Sequence, residues 1–301
     1  MLAITGANGH LGQRLLASLG EQPIRALVRS RRAAEALDRL GLGDRVAVGV
    51  VDYDDVDAMA EALSGCIQVV HLVGIIKESA GNSYAAAHEQ SCRALAEAAA
   101  RAGVQRIVYL SILGATTASA NACLASKAAA EQILLDGVVP VTVIRVPMVL
   151  GEGDYASRAL AARARRGVNV LLRGASLEQP IYAGDVIEAV AAVLMRTDGE
   201  ASALEPGAQV FDLAGPESLS REALVHRAAR VRGRRTRVIS VPLGLGLAAA
   251  AVLERTSANP PVTRAMLGVL DHDDRINPQP ALAALGIALT PLDEALRRCL
   301  S

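Results

Sequence analysis

Short apolar runs alternate with helical segments through the first half of the chain. The runs are rich in Val, Ile and Leu, which is typical of strands buried on both faces of a parallel sheet. Their alternation with helices predicts an α/β fold with a doubly wound parallel sheet. The predicted strands are Leu2–Ile4, Ile24–Val28, Val46–Val51, Val69–Val73, Ile107–Leu110 and Val141–Val146, and the predicted helices are Arg32–Leu40, Val56–Leu63, Ser83–Ala102 and Ala122–Leu135.

The second half is less regular and predicts a smaller C-terminal lobe. We place the first domain at residues 1–150 and the lobe at 151–301, with residues from about 180 to 215 returning to the first domain. Asp185 is expected to cap the helix that follows it. The predicted elements here are the strand Val210–Leu213 and the helices Val186–Leu194, Ser220–Val231 and Leu292–Leu300.

Val238–Leu253 is a long uncharged and mainly apolar run. It contains Pro242 and is shorter than the roughly 20 apolar residues that a membrane-spanning helix needs. We therefore expect a buried helix, and attachment to a membrane surface is the alternative.

The first apolar run leads into the glycine-rich segment Thr5–Gly12 and then into a helix with leucines at helical spacing. Glycine permits the tight turn, the approach of a phosphate to the backbone, and close packing of helix on strand. The helix N-terminus then presents N–H groups to an anion. This context predicts a dinucleotide-binding Rossmann domain, with cofactor contacts from Gly6, Asn8, Gly9, His10, Leu11 and Gly12.

The residues that follow the next strands extend this predicted site. Arg29 occupies the place where an acidic residue would bind a ribose 2′-hydroxyl, so we expect NADP to be preferred over NAD; a solvated arginine loop is the alternative. Asp52 is expected to bond the adenine amino group, or else to cap the helix near Asp55. Tyr53, Val73 and Gly74 are the further expected cofactor contacts.

Composition excludes several classes of function. The 31 basic and 31 acidic residues balance, so we expect no net positive field that would attract nucleic acid. Aromatic residues make up only 2%, so a surface on which bases could stack is not expected either. The histidines are scattered without metal-ligand spacing, and no metal site is predicted. The four cysteines form no C-x-x-C pair and indicate reduced thiols. We expect a cytoplasmic protein without a secretory leader, and a peripheral location at the inner membrane is the alternative.

Several segments together resemble the short-chain dehydrogenase/reductase superfamily: TGANGHLG, VVDYDDVDAMAEAL, VVHLVG, AAARAGVQRIVYLS and SKAAAEQIL. The later segments IRVPMVLGEGD, QPIYAGDVIEAV and FDLAGPESLSREAL resemble its atypical branch. That branch contains the nucleotide-binding accessory subunit of respiratory complex I and its bacterial relatives.

The resemblance implies a catalytic Tyr-x-x-x-Lys pair on one helix face, and only half of it is present. Lys127 matches the lysine that binds the nicotinamide ribose, whereas Cys123 stands at the tyrosine position. The alternatives are a solvated Lys127 paired with Glu131, and a Cys123 that is either a small buried filler or a redox or nucleophilic group. Ser111 is the candidate for the catalytic hydroxyl, or else it caps backbone groups at the sheet edge.

In the second half, the resemblance implies that Pro147 borders the nicotinamide end of the cofactor. The Arg227–Arg237 segment contains six arginines and predicts a solvated face or a contact with an acidic protein or anionic lipid. The acidic segment Asp271–Asp274 is expected to be a surface loop without metal.

Two functions follow. The first is a non-catalytic NADP(H)-binding protein that serves as a sensor, a scaffold or an assembly partner in a respiratory complex, and the missing tyrosine favours it. The alternative is an NADP(H)-dependent oxidoreductase or epimerase on a small carbonyl or hydroxyl substrate, with water or Tyr182 as proton donor.

Overall fold

The computed structural model describes residues 1–79, 81–195, 209–257, 260, 262–269 and 273–300. The elements up to residue 146 are β1 (Leu2–Thr5), α1 (His10–Ser18), β2 (Ile24–Val28), α2 (Arg31–Asp38), β3 (Val46–Val50), α3 (Val56–Leu63), β4 (Gln68–His71), a π-helical turn (Ala85–Gln90) continuing into α4 (Ser91–Arg101), β5 (Arg106–Ile112), α5 (Ala122–Leu135) and β6 (Val141–Val146).

The elements after residue 146 are shorter and more varied. They are β7 (Val149–Leu150), α6 (Tyr155–Ala164), β8 (Val168–Leu172), β9 (Leu177–Glu178), β10 (Ile181–Tyr182), α7 (Ala183–Leu194), β11 (Gln209–Asp212), β12 (Leu219–Ser220), α8 (Arg221–Val231), β13 (Arg237–Val241), α9 (Leu243–Thr256), α10 (Arg264–Val269), α11 (Gln279–Leu285) and α12 (Leu292–Leu300).

A seven-stranded sheet in the order β11-β6-β5-β4-β1-β2-β3 forms the framework of the first half. Thr5 of β1 lies in register with Leu27 of β2 and His71 of β4, and these pairings are parallel. The strand order reverses between β1 and β4, which is where doubly wound sheets bind ligands, at the carboxyl ends of their strands. The predicted Rossmann fold is confirmed.

Local sequence explains why the helices begin where they do. The side chains of Ser30, Asp55 and Asn121 accept backbone N–H bonds at the starts of α2, α3 and α5. Since Asp55 caps α3, the alternative that gave this role to Asp52 is wrong. Met59, Leu95 and other apolar side chains of α3, α4 and α5 then pack with the sheet in one core.

The chain divides into two compact units. The first consists of Met1–Arg145, Ile187–Phe211 and Ala284–Gly286, and the second of Val146–Val186, Asp212–Ala283 and Ile287–Ser301. The second unit has its own core, which includes side chains from α6, α8 and α12. The predicted division near residue 150 stays a prediction.

Two predictions about the second half are wrong. Helix α7 begins at Ala183, so Asp185 lies inside its first turn, and the carboxylate accepts bonds from the backbone and the hydroxyl of Thr290 instead. The run Val238–Leu253 is not one buried helix, because it is divided between β13 and α9 at Pro242. Ala250 is the only fully buried residue of α9. Among the described helices, none has the length and hydropathy to cross a bilayer.

Candidate functional site

The glycine-rich turn has the geometry that its spacing predicts. Gly6 has φ +69°, and a Cβ on it would lie 3.1 Å from the backbone carbon of Leu72. A Cβ on Gly12 would lie 2.5 Å from the carbonyl oxygen of Ala7, so only glycine lets α1 approach the turn this closely. Gly9 donates its N–H to the carbonyl of Gly6 at 3.0 Å and closes the turn.

The amino end of α1 is open to a ligand. Its N-cap residue, Gly9, supplies no side-chain cap, and the first turn contains no acidic residue. Asn8, Gly9 and His10 are exposed, Leu11 is half-buried, and Gly12 is buried. The amide N–H groups and the helix dipole therefore form an anion site, in contrast to the capped starts of α2, α3 and α5.

Tyr53 holds this turn in place through hydrogen bonds of its hydroxyl group. Its buried hydroxyl accepts the N–H of Gly6 at 2.8 Å and donates to the carbonyl of Leu27 at 2.8 Å. Burial raises the pKa of Tyr53 to about 12, so the hydroxyl keeps its proton at neutral pH. The structure thus gives Tyr53 two backbone contacts that join β1, β2 and the segment after β3, a role that the sequence did not reveal.

Arg29 and Asp52 follow β2 and β3 at the same edge. Arg29 is exposed and donates to the side-chain oxygen of Asn82 at 3.1 Å. Partial burial and the neighbouring Asp54 raise the pKa of Asp52, whereas the Arg29 guanidinium opposes that shift. The two predicted contacts therefore lie within electrostatic reach of each other, and their roles toward a cofactor stay predictions.

Lys127 reaches this edge from α5. Its Nζ donates to the Tyr109 hydroxyl at 2.8 Å and to the Leu110 carbonyl at 3.0 Å. Burial lowers its pKa to about 8. The alternative of a solvated lysine paired with Glu131 is wrong, because Lys127 is buried and Glu131 forms an ion pair with Arg145.

The backbone at Gly74 leaves space beside this lysine. A Cβ on Gly74 would lie 3.3 Å from Lys127 Nζ and 3.7 Å from His88 Nε2. His88 Nε2 accepts the N–H of Ile75 at 3.1 Å, and His71 Nδ1 lies 2.6 Å from the Thr5 hydroxyl. Burial, together with the nearby lysine, lowers the pKa of each histidine to about 3, so both are neutral.

Three buried polar atoms on residues that follow or end β4 and β5 have no hydrogen-bond partner within the described structure: His71 Nε2, His88 Nδ1 and Ser111 Oγ. Unpaired buried polar atoms are costly, and the two on His71 and His88 belong to side chains within electrostatic reach of Lys127, where a polar ligand could satisfy them. Sequence reasoning missed both histidines and Tyr109. The only signal was that His71 ends a buried strand and His88 interrupts an alanine-rich helix.

Cys123 has the environment of a structural thiol. Its sulfur donates to the Ile75 carbonyl at 3.7 Å, and burial raises its pKa to about 11.

Pro147 falls in the second unit, and its contact with a cofactor stays a prediction. In that unit the Tyr182 hydroxyl donates to Glu152 at 2.7 Å. Asp271 and His272 lie outside the described residues, and no cluster of three or more potential metal ligands occurs in the part that is described.

A family model described as NAD(P)H-binding matches residues 6–195, from the first glycine of the turn to the end of α7. The chain belongs to this family. The resemblance to complex I accessory subunits and epimerase-like reductases is confirmed. Binding of a nicotinamide dinucleotide is therefore the property that the family supplies, and the roles of the turn and Lys127 in it stay predictions.

Relatives of several kinds align with the chain. Mitochondrial NADH dehydrogenase (ubiquinone) 1 alpha subcomplex subunit 9 of Arabidopsis thaliana is 26% identical over 82% of this chain, which spans only 62% of that protein. Quinone oxidoreductase 2 of Escherichia coli is 29% identical over 78% of this chain and 75% of its own length. The structure of Citrobacter sp. triphenylmethane reductase complexed with NADP(H) is 21% identical, with a TM-score of 0.76 and full coverage of both chains, and it shows the shared fold.

Proposed function

We propose that this protein binds NADPH in preference to NADH and acts as a sensor, a scaffold or an assembly partner rather than as a catalyst. The observation that carries the proposal is the pair on α5: Lys127 beside Gly74 offers an ammonium group to a ribose, and Cys123 offers a buried, protonated thiol where a phenol would be needed. Binding chemistry is therefore present without a positioned proton donor.

The preference for NADPH rests on Arg29. A guanidinium matches a phosphate in geometry and charge, and Arg29 is exposed at the carboxyl end of β2, where it donates to the neutral side chain of Asn82. Arg29→Asp is expected to weaken NADPH binding about tenfold or more while leaving NADH binding within about twofold. Fluorescence titration with both nucleotides measures this, and an equal loss for both would remove the proposed preference.

A second candidate is an NADP(H)-dependent oxidoreductase or epimerase acting on a small carbonyl, hydroxyl or quinone compound. The reductase names among the relatives favour it, as do the unpaired polar atoms of His71, His88 and Ser111. Bound NADPH would supply a hydride. Lys127 would hold the ribose, and the substrate proton would come from water.

One set of experiments separates the two candidates. Purified protein is titrated with NADPH and then assayed with quinones, aldehydes and nucleotide sugars. Tight binding without turnover supports the binding protein, whereas turnover that Lys127→Ala abolishes supports the enzyme. Activity gained in Cys123→Tyr would show that the phenol alone was missing.

The complex I relatives support a protein partner as part of the proposal. Arg227 forms ion pairs with Glu217 and Asp293 and is engaged within the chain, so any contact of the Arg227–Arg237 segment with an acidic protein or an anionic lipid surface would fall to its later arginines. We propose a cytoplasmic location, which the four buried free thiols support, with the inner-membrane surface as the alternative.

A further inference from the structure

Strands β8 and β13 of the second unit form a two-stranded parallel ribbon with one open apolar face. Val170 lies in register with Ile239. Asn169 and Leu171 point into the unit, whereas Val168, Val170 and Ile239 are 54%, 58% and 53% exposed. Because side chains alternate along a strand, the three exposed residues share the outer face.

Helix α9 extends this surface at the carboxyl end of the ribbon. Leu172 is on the outer face by alternation, and a Cβ on Gly246 would lie 2.4 Å from its Cδ1, so α9 packs directly on it. Leu245, beside that contact, is 65% exposed. We call Val168, Val170 and Ile239 the ribbon face. Adjacent exposed aliphatic side chains of this kind mark a surface that binds something.

Arginines collect at the opposite end of the ribbon. Because the strands are parallel, the residues that precede each of them lie at the same end. No Asp or Glu occurs in residues 155–177 or 223–253. Burial, and after it the positive charge of the nearby Arg166, lower the pKa of Arg163. We call the exposed arginines there the arginine end, and none of them forms an ion pair within the described residues: Arg165, Arg166, Arg234, Arg235 and Arg237.

We propose that the ribbon face and the arginine end dock this protein on an anionic lipid surface. Aliphatic side chains enter the headgroup boundary, and guanidinium groups pair with the lipid phosphates beside them. A protein interface is a poorer match, since its core is enriched in aromatic residues and Met, and the ribbon face contains neither. This inference is independent of nucleotide binding and goes beyond it.

The test uses the full chain and sedimentation with two kinds of vesicle, phosphatidylcholine alone and an equal mixture of phosphatidylcholine and phosphatidylglycerol. Binding is expected on the anionic vesicles only, and it is expected to weaken as salt is raised. Replacing Arg235 or Arg237 by Gln should weaken binding about fivefold for each arginine removed.

Glutamate substitutions test the apolar part. Ile239→Glu and Val170→Glu should each weaken vesicle binding about tenfold or more, because a carboxylate would enter the lipid boundary beside like charge. Val138→Glu is the matched control, since Val138 is 85% exposed in the first unit. NADPH titration and the melting temperature confirm that each variant is folded.

Three results would overturn the proposal: equal binding to both vesicle types, no binding of folded protein to anionic vesicles, or Ile239→Glu and Val170→Glu binding as well as Val138→Glu. A different result would assign the ribbon face to a second copy of the chain instead. In that case the wild-type protein would sediment as a dimer without vesicles, and either glutamate substitution would make it a monomer.

Discussion

Near β1 and β2 the candidate site is made of backbone, whereas beside Lys127 it is made of side chains. The first region consists of the Gly6–Gly12 turn and the uncapped end of α1, braced by Tyr53. The second consists of Lys127, Tyr109 and two neutral histidines that come from β4, β5 and two helices. A backbone site recognises what all dinucleotides share, and a side-chain site determines what is done with the nucleotide. We therefore expect binding to depend first on the backbone region, and any chemistry to depend on the side-chain region.

The largest effect is expected in the backbone region, from Gly12→Val. The added Cβ would meet the Ala7 carbonyl, which cannot move away as a flexible side chain could. We expect NADPH binding to be lost and the free energy of unfolding to fall by about 1–3 kcal/mol. Gly244→Ala is the control, because a Cβ there meets nothing within 4 Å. Normal NADPH affinity in Gly12→Val would contradict the tight packing of α1 on the turn.

A smaller effect is expected in the side-chain region, from Lys127→Ala. Loss of a charge-assisted hydrogen bond of about 1.5–3 kcal/mol should weaken NADPH and NADH binding about tenfold to a hundredfold. The pKa of Lys127 is lowered to about 8, so wild-type affinity should also decline above that pH, and the variant should lack this decline. Unchanged affinity at every pH would show that Lys127 serves only the packing around Tyr109.

A still smaller loss of nucleotide affinity is expected from Tyr53→Phe, which again affects the backbone region. It leaves the Gly6 N–H and the Leu27 carbonyl without their partner, at a cost of about 1–3 kcal/mol. We expect both nucleotides to bind several-fold more weakly, measured by fluorescence titration. Tyr155→Phe serves as the control, because Tyr155 is 63% exposed. A loss confined to one nucleotide would mean that Tyr53 contacts the cofactor directly.

The smallest change at neutral pH concerns the histidines of the side-chain region. His71 and His88 have pKa values of about 3 in the folded chain and about 6.5 when unfolded, so the unfolded state binds more protons between those values. Stability should therefore fall as pH falls from about 6.5 toward 3. Chemical unfolding across this range should show a shallower slope for His88→Gln, whose amide can still accept the Ile75 N–H. An identical slope would mean that His88 binds protons equally in the folded and unfolded states, so that folding does not lower its pKa.

The contrast also explains what the sequence could predict. The Thr5–Gly12 turn is encoded by consecutive residues, so its glycine spacing was sufficient. Lys127 was expected from the family resemblance, but its neighbours His71, His88 and Tyr109 are far apart in the chain and meet only because β4 and β5 are neighbours in the sheet. The error at Val238–Leu253 has a different cause, since hydropathy shows that a segment is apolar but not whether the rest of the molecule covers it.

The most direct test of the account is a crystal structure of the protein soaked with NADPH. The account predicts the diphosphate against the backbone amides of Asn8–Gly12 and a ribose hydroxyl within hydrogen-bond distance of Lys127 Nζ. A nucleotide bound elsewhere, or one in this crevice with Lys127 still bonded only to Tyr109 and Leu110, would contradict it.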